Sequence, residues 1–287
     1  MSATPAAPQA PRAIVFSHAN GFPAGTYRAL FDEWRRAGWR VVAPEKLGHD
    51  PRFPVTSNWP HLRDELLNYI DEQRAAPAYL VGHSLGGYLS LLAAAHRPGI
   101  ARGIVLLDSP LLPNWMGRTI QFFKATGVGE RFSPGHVSKR RRDSWPSLQA
   151  AREHFAGKPM FACWAEGVLD DYLRCGLMAG ENAQHLSFKR DVETRIYNTL
   201  PHHLTRMLRA HPLPCPVAFV GGEDSTELER VGLREVKRVT HSRITFLPGS
   251  HLFPMEDPKE TARAVAHWLA EFDKACDEAS SAPTPHL

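Results

Sequence analysis

Ser84 has the sequence surroundings of a catalytic nucleophile. It lies between two glycines in Gly82-His83-Ser84-Leu85-Gly86, after an apolar run and before a run of small apolar residues. This pattern predicts a strained strand-to-helix turn that lifts the serine hydroxyl above a sheet edge, with glycines where a Cβ would collide with neighbouring backbone. The start of the helix leaves the Leu85 N–H without an intrahelical partner. We therefore expect a nucleophile and one oxyanion donor in the same place.

A serine hydroxyl needs a histidine to take its proton and a carboxylate to orient that histidine. His251 lies in a glycine-containing loop after the last predicted strand, and Asp224 follows the strand before it. The resulting order, Ser, Asp, His, is the order expected when an elbow serine comes first. Asp108 also ends a predicted strand. Asp224 is the preferred acid, and Asp108 is the alternative.

The second oxyanion donor is expected in the loop after the first strand, at Asn20-Gly21-Phe22-Pro23. The Phe22 N–H is the preferred donor, and the Asn20 side chain is the alternative. His18 ends the same strand and is interpreted as a residue that fixes the loop. The His83 side chain is expected to point away from Ser84.

These residues need a scaffold that brings strand ends together. Apolar strands alternate with amphipathic helices, which predicts an α/β fold with a mostly parallel sheet of about six strands covered by helices on both faces. Between 110 and 212 the alternation stops and helical patterns dominate, so we expect an inserted helical cap without a buried strand. The predicted divisions are a disordered leader (1–11), the core (12–109 and 213–275), the cap (110–212) and a disordered tail (276–287).

The cap contains residues that allow two interpretations. Its aromatic residues could belong to the core or line an acyl pocket; they are Trp115, Phe122, Phe123, Trp145, Phe161 and Trp164. The basic run Lys139-Arg140-Arg141-Arg142 is interpreted as a solvated face, with attraction of an anionic substrate as the alternative. The pair His202 and His203 is interpreted as a surface pair, with substrate contact as the alternative.

The amino-acid composition argues against several classes of function. The 287 residues carry a formal net charge of +4, but basic and aromatic residues are not interleaved, so nucleic acid is not an expected partner. No apolar run approaches ~20 residues, so stable membrane insertion is not expected. The four cysteines lack metal-ligand spacing, so neither disulfides nor a zinc site is expected, which fits a reducing cytoplasm. The chemistry of a serine, a histidine and a carboxylate needs no metal or other cofactor, so none is expected. Oligomeric state is left open.

The set of motifs resembles the α/β-hydrolase superfamily, in particular its capped members. The resemblance lies in the 82–87 elbow, the loop His18-Ala19-Asn20-Gly21-Phe22-Pro23, the turn Gly222-Glu223-Asp224 and the loop around His251. The family's first antiparallel hairpin is missing before the first strand, which implies a shorter sheet. Ser84 argues against the members that use an aspartate nucleophile.

The expected function is that of a serine hydrolase that cleaves a small-molecule carboxylic ester, thioester or lipid-like ester through an acyl-enzyme intermediate. The same three residues could also serve C–C bond hydrolysis or cofactor-free perhydrolysis. A ligand-binding protein that keeps the fold without turnover is the alternative from another class.

Overall fold

The computed structural model describes residues 12–126 and 135–281. The strands of the described residues are β1 (Ala13–Ser17), β2 (Arg40–Val42), β3 (Ala78–His83), β4 (Ala101–Leu107), β5 (Ser144–Trp145), β6 (Leu177–Ala179), β7 (Gln184–Leu186), β8 (Val217–Gly222) and β9 (Ile244–Leu247). The central sheet has six strands in the order β2-β1-β3-β4-β8-β9, and every neighbouring pair in it is parallel. The predicted α/β class and the six-stranded parallel sheet are therefore confirmed.

Helices connect these strands. A short 3-10 helix (Ala24–Tyr27) precedes the first α-helix. The α-helices are α1 (Arg28–Arg36), α2 (Pro60–Glu72), α3 (Leu85–His96), α4 (Asn114–Thr126), α5 (Gly135–Arg140), α6 (Leu148–Ala156), α7 (Pro159–Ala162), α8 (Val168–Gly176), α9 (Arg190–Asn198), α10 (Leu204–Ala210), α11 (Thr226–Val231), α12 (Arg234–Thr240), α13 (Phe253–Glu256) and α14 (Pro258–Ser281).

The sheet is buried on both faces because successive strand residues point to opposite sides. In β1, Ile14 and Phe16 belong to the apolar cluster that includes residues of α1 and α14, whereas Val15 belongs to the cluster formed with α2 and α3. All five residues of β1 are buried. A strand covered on both faces favours apolar residues on both sides, which explains why four apolar residues precede Ser17 in β1.

The region 110–212 contains helices and a small sheet. Helices α4, α6 and α8 lie where helical patterns were predicted. However, β5, β6 and β7 form a three-stranded antiparallel sheet in the order β5-β7-β6, which the sequence analysis missed. These strands have only two or three residues each, too few for a period-two pattern to be recognised. We refer to residues 110–212 as the cap.

The final helix is longer than predicted. Helix α14 continues to Ser281, so the prediction of disorder from residue 276 is wrong for 276–281. The predicted leader, 1–11, and residues 282–287 lie outside the described residues. Within the described parts of the chain, no helix is both long enough and apolar enough to cross a bilayer.

Candidate active site

Ser84 occupies a strained turn between β3 and α3. Its backbone has φ 53° and ψ −112°, a conformation that non-glycine residues rarely adopt. Cβ atoms on the flanking glycines would meet backbone: one on Gly82 would lie 2.2 Å from the Gly86 carbonyl carbon, and one on Gly86 would lie 1.9 Å from the Ser17 oxygen. The Ser84 N–H donates to the Leu107 carbonyl at 2.9 Å. This geometry is that of the predicted nucleophile elbow.

The carboxylate next to His251 belongs to Asp108. His251 Nδ1 lies 2.6 Å from Asp108 Oδ2, and Asp108 is completely buried at the end of β4. Asp224 is exposed, and its backbone N–H donates to the Gly249 carbonyl at 2.9 Å. The preference for Asp224 as the partner of His251 is therefore wrong, and the alternative, Asp108, has the required geometry.

Both carboxylate oxygens of Asp108 accept hydrogen bonds. Oδ1 accepts from the Gly222 N–H at 3.1 Å, and Oδ2 accepts from the Ser225 hydroxyl at 2.5 Å as well as from His251. The Ser225 Oγ also accepts the Leu228 N–H at 3.1 Å, as the N-cap of α11. These contacts hold the carboxylate in one orientation and satisfy its buried charge. Sequence reasoning missed Ser225; its signal was a serine at the start of a helix beside a strand end.

The expected oxyanion donors have different surroundings. Leu85 is the first residue of α3, so no preceding helical carbonyl can accept its N–H. The Phe22 N–H, by contrast, closes a turn by donating to the Ala19 carbonyl at 3.2 Å. To bind an oxyanion, the Phe22 N–H would have to divide its hydrogen bond between the Ala19 carbonyl and the oxyanion, or leave that carbonyl. The roles of Leu85 and Phe22 as oxyanion donors therefore stay predictions.

His18 fixes the loop 18–23, as predicted; because we expect this loop to bind the oxyanion, we refer to it as the oxyanion loop. Its Nε2 accepts the Leu47 N–H at 2.8 Å, so Nδ1 carries the proton and donates to the Ala19 carbonyl at 2.8 Å. Burial lowers the pKa of His18 to about 4, which keeps the ring neutral and this hydrogen-bonding pattern unchanged at neutral pH.

The cap contacts the oxyanion loop through polar groups. The Asn20 side chain donates to the Glu193 backbone carbonyl oxygen at 3.1 Å. Asn20 is the alternative oxyanion donor, and this bond already uses one of its N–H groups. The buried Glu193 carboxylate forms an ion pair with Arg141, with 3.1 Å between Oε2 and Nη1. Burial raises the pKa of Glu193, and Arg141 opposes that shift. The interpretation of the basic run as a solvated face holds for the exposed Lys139 and Arg140 but is wrong for Arg141.

Aromatic residues of the cap pack against the same loop. The Phe22 ring centroid lies 5.9 Å from that of Trp164 and 5.8 Å from that of Tyr172. Trp145, Phe161 and Trp164 are buried in the main core cluster, whereas Trp115 is exposed. The side chains of Phe122 and Phe123 lie outside the described residues. His202 and His203 are half-buried rather than fully exposed.

A second acidic group approaches His251. Glu227 Oε2 lies 4.0 Å from His251 Nδ1, and donor atoms of Asp108, Glu227 and His251 all lie within 4.8 Å of one another. Groups of this composition could hold a metal ion. A metal would have to replace the proton that His251 shares with Asp108 and so would compete with the hydrogen bond described above.

The chain belongs to the alpha/beta hydrolase family, whose profile matches residues 14–264. This match includes both parts of the sheet, the elbow, Asp108 and His251. The fold and the family membership predicted from the motifs are thereby confirmed.

Named relatives extend this finding. The chain is 32% identical to rat (Rattus norvegicus) monoglyceride lipase over 112 residues, which are 36% of this chain and 37% of that protein, so it spans well under half of that relative. It is 25% identical to the mouse (Mus musculus) sn-1-specific diacylglycerol lipase ABHD11 over 90% of this chain and 81% of that protein. In structure it is similar to E-2-(acetamidomethylene)succinate hydrolase, with a TM-score of 0.72 and 19% identity over 91% of this chain and 92% of the other, a likeness that shows the fold alone.

Proposed function

We propose that this protein is a serine hydrolase that cleaves a carboxylic ester through an acyl-enzyme intermediate. The observation that carries the proposal is the 2.6 Å contact between His251 Nδ1 and the buried Asp108 carboxylate, at the sheet edge where Ser84 occupies a strained turn. Because Nδ1–H faces Asp108, the Nε2 of neutral His251 is free to act as a base.

Each residue has one role in the proposed reaction. Ser84 Oγ attacks the carbonyl carbon while His251 Nε2 takes its proton, and His251 then protonates the leaving alcohol. Asp108 stabilises the imidazolium that forms between these steps. The Leu85 N–H, together with a donor from the Phe22 loop, binds the oxyanion. Water then attacks the acyl-enzyme with His251 again as base, which releases the acid.

An apolar acyl group fits the surroundings. The Phe22 ring belongs to the loop that we expect to bind the oxyanion, and it packs against the Trp164 and Tyr172 rings. Two of the relatives are named lipases of mono- and diacylglycerols, so fatty acyl esters are the first substrates to test. A thioester would use the same carbonyl chemistry.

The test compares wild-type protein with Ser84→Ala on a series of p-nitrophenyl esters of increasing chain length. We expect turnover by the wild type alone, and covalent labelling by a fluorescent serine-reactive phosphonate that the substitution abolishes. Labelling or turnover that persists in folded Ser84→Ala would refute the proposal. A ligand that raises the melting temperature of the wild type and is not consumed would favour a binding protein.

A further inference from the structure

A chain of hydrogen bonds crosses the buried side of the candidate site. The Ala19 N–H donates to the Tyr27 hydroxyl oxygen at 3.2 Å, and this hydroxyl lies 2.7 Å from His83 Nδ1. At the other side of the ring, His83 Nε2 lies 2.9 Å from the backbone carbonyl oxygen of His251. Both Tyr27 and His83 are buried.

The direction of every bond in this chain is determined. The His251 carbonyl can only accept, so His83 Nε2 carries the proton. Burial lowers the pKa of His83 well below its ordinary value, so the ring is neutral and Nδ1 is an acceptor. The Tyr27 hydroxyl must therefore donate to Nδ1, which leaves its oxygen free to accept the Ala19 N–H.

These bonds join three segments that carry the proposed chemistry. Ala19 belongs to the loop expected to bind the oxyanion, His83 ends β3 immediately before the nucleophile Ser84, and His251 is the proposed base. The segments come from distant parts of the chain: residue separations along the chain are 56 for Tyr27 to His83 and 168 for His83 to His251.

We propose that Tyr27 and His83 form a positioning pair that sets the distances between the oxyanion loop, Ser84 and the base, and so controls the rate of acylation. Neither side chain touches the substrate carbonyl in this role. The inference rests on the proposed serine-hydrolase function. Its physical basis is that small displacements of reacting groups lower rates strongly, with roughly 10²-fold lost for 1 Å.

The main test is Tyr27→Phe, which removes one oxygen and keeps the ring packed on Phe16, at 4.6 Å between centroids. The Ala19 N–H and His83 Nδ1 then lose their partner. We expect kcat for a p-nitrophenyl ester, and the rate constant for phosphonate labelling of Ser84, to fall about ten- to a hundredfold with KM changed less than about threefold.

The matched control is Tyr79→Phe. Tyr79 is a buried tyrosine on the same strand as His83, and its hydroxyl donates to Asp273 on α14 instead of to a catalytic loop. We expect this variant to lose thermal stability with kcat and labelling rate within about threefold of the wild type, because its lost bond does not position a reacting group.

His83→Gln is the second variant and keeps the test decisive if Tyr27→Phe does not fold. A glutamine can keep an N–H donor towards the His251 carbonyl but lacks the ring acceptor for Tyr27. We expect at least a tenfold loss in kcat from His83→Gln alone. Where Tyr27→Phe does fold, adding it to His83→Gln should cause no further loss, because residues acting as one unit are not additive.

Two results distinguish a failure of the positioning role from a failure of the proposed serine-hydrolase function. If Ser84→Ala is inactive but Tyr27→Phe and His83→Gln lower only the melting temperature, like Tyr79→Phe, the positioning role is refuted and the serine-hydrolase function stands. If Ser84→Ala keeps wild-type labelling, the proposed function is refuted and this inference with it.

Discussion

Replacing Asp108 with asparagine tests the assignment of the acid most directly. Asparagine keeps the shape of the side chain, so the buried site loses a charge without gaining a cavity. Asp108 Oδ1 accepts from Gly222, and Oδ2 accepts from Ser225 and His251. An amide presents one oxygen and one NH₂ group, so it cannot accept in both places.

Either orientation of the amide disturbs the site. With its oxygen on the Gly222 N–H, the NH₂ group faces His251 Nδ1, which must then accept, and the imidazole proton moves to Nε2. A protonated Nε2 cannot take the proton of Ser84. With the amide turned over, the NH₂ group faces the Gly222 N–H, and a buried donor without an acceptor costs about 1–3 kcal/mol.

We therefore expect Asp108→Asn to lower kcat by about 10³- to 10⁴-fold, equivalent to about 4–5 kcal/mol of transition-state stabilisation. Asp224→Asn, at an exposed carboxylate, should change kcat less than about twofold. The assay is steady-state hydrolysis of the best p-nitrophenyl ester, with circular dichroism to show that both variants are folded.

Glu227→Gln is the control for the other carboxylate near His251. At 4.0 Å from Nδ1 and partly exposed, Glu227 should affect kcat less than about tenfold. A folded Asp108→Asn protein with near wild-type kcat, or a loss of activity in Asp224→Asn of the size expected for Asp108→Asn, would refute the assignment of the acid.

Three further predictions concern other parts of the fold. Burial raises the pKa of Glu65 to about 7 from an ordinary value of 4.5, so the folded protein binds more protons than the unfolded chain between these values. Its contribution to stability, about 3 kcal/mol below pH 4.5, should be lost as pH rises through 7, and Glu65→Gln should flatten this part of the stability curve measured by urea unfolding. Arg141→Met leaves the Glu193 carboxylate buried without its cation, so it should lower the free energy of unfolding by about 2–4 kcal/mol; an unchanged urea midpoint would contradict this. Gly86→Ala should give little folded protein in expression trials, because its methyl group would overlap the Ser17 carbonyl; a soluble variant with a wild-type melting temperature would contradict the close packing at the elbow.

The amino-acid sequence alone was sufficient to predict the elbow and the sheet. The elbow depends on local sterics: glycines on both sides of Ser84 are required by backbone contacts within a few residues and with the adjacent strand. The parallel sheet depends on apolar runs such as the first four residues of β1 (Ala13–Ser17), which need cover on both faces. The structural role of His18 could be predicted for a similar reason, since His18 directly follows a strand and begins the loop that it fixes.

The choice between Asp108 and Asp224 required the tertiary structure. The two aspartates follow β4 and β8, which are neighbours in the sheet, so their local sequence contexts are alike. Asp108 comes directly after its strand and, with φ 38°, is completely buried beside His251. Asp224 lies two residues beyond the end of β8, where the chain has already reached solvent.

Contacts between residues that lie far apart in the sequence could not be predicted from it either. Arg141 looks like one of four similar basic residues, and only the packing of α5 against α9 within the cap pairs it with Glu193. In the sequence, Tyr27 and His83 look like ordinary core residues. Their hydrogen bonds to each other, to Ala19 and to His251 depend on how distant segments pack together. The sequence by itself determines the backbone turn at Ser84, because that turn depends on local sterics. The tertiary structure decides which carboxylate lies beside His251, which one pairs with Arg141 and which tyrosine bonds to His83, because each partner comes from a distant part of the chain.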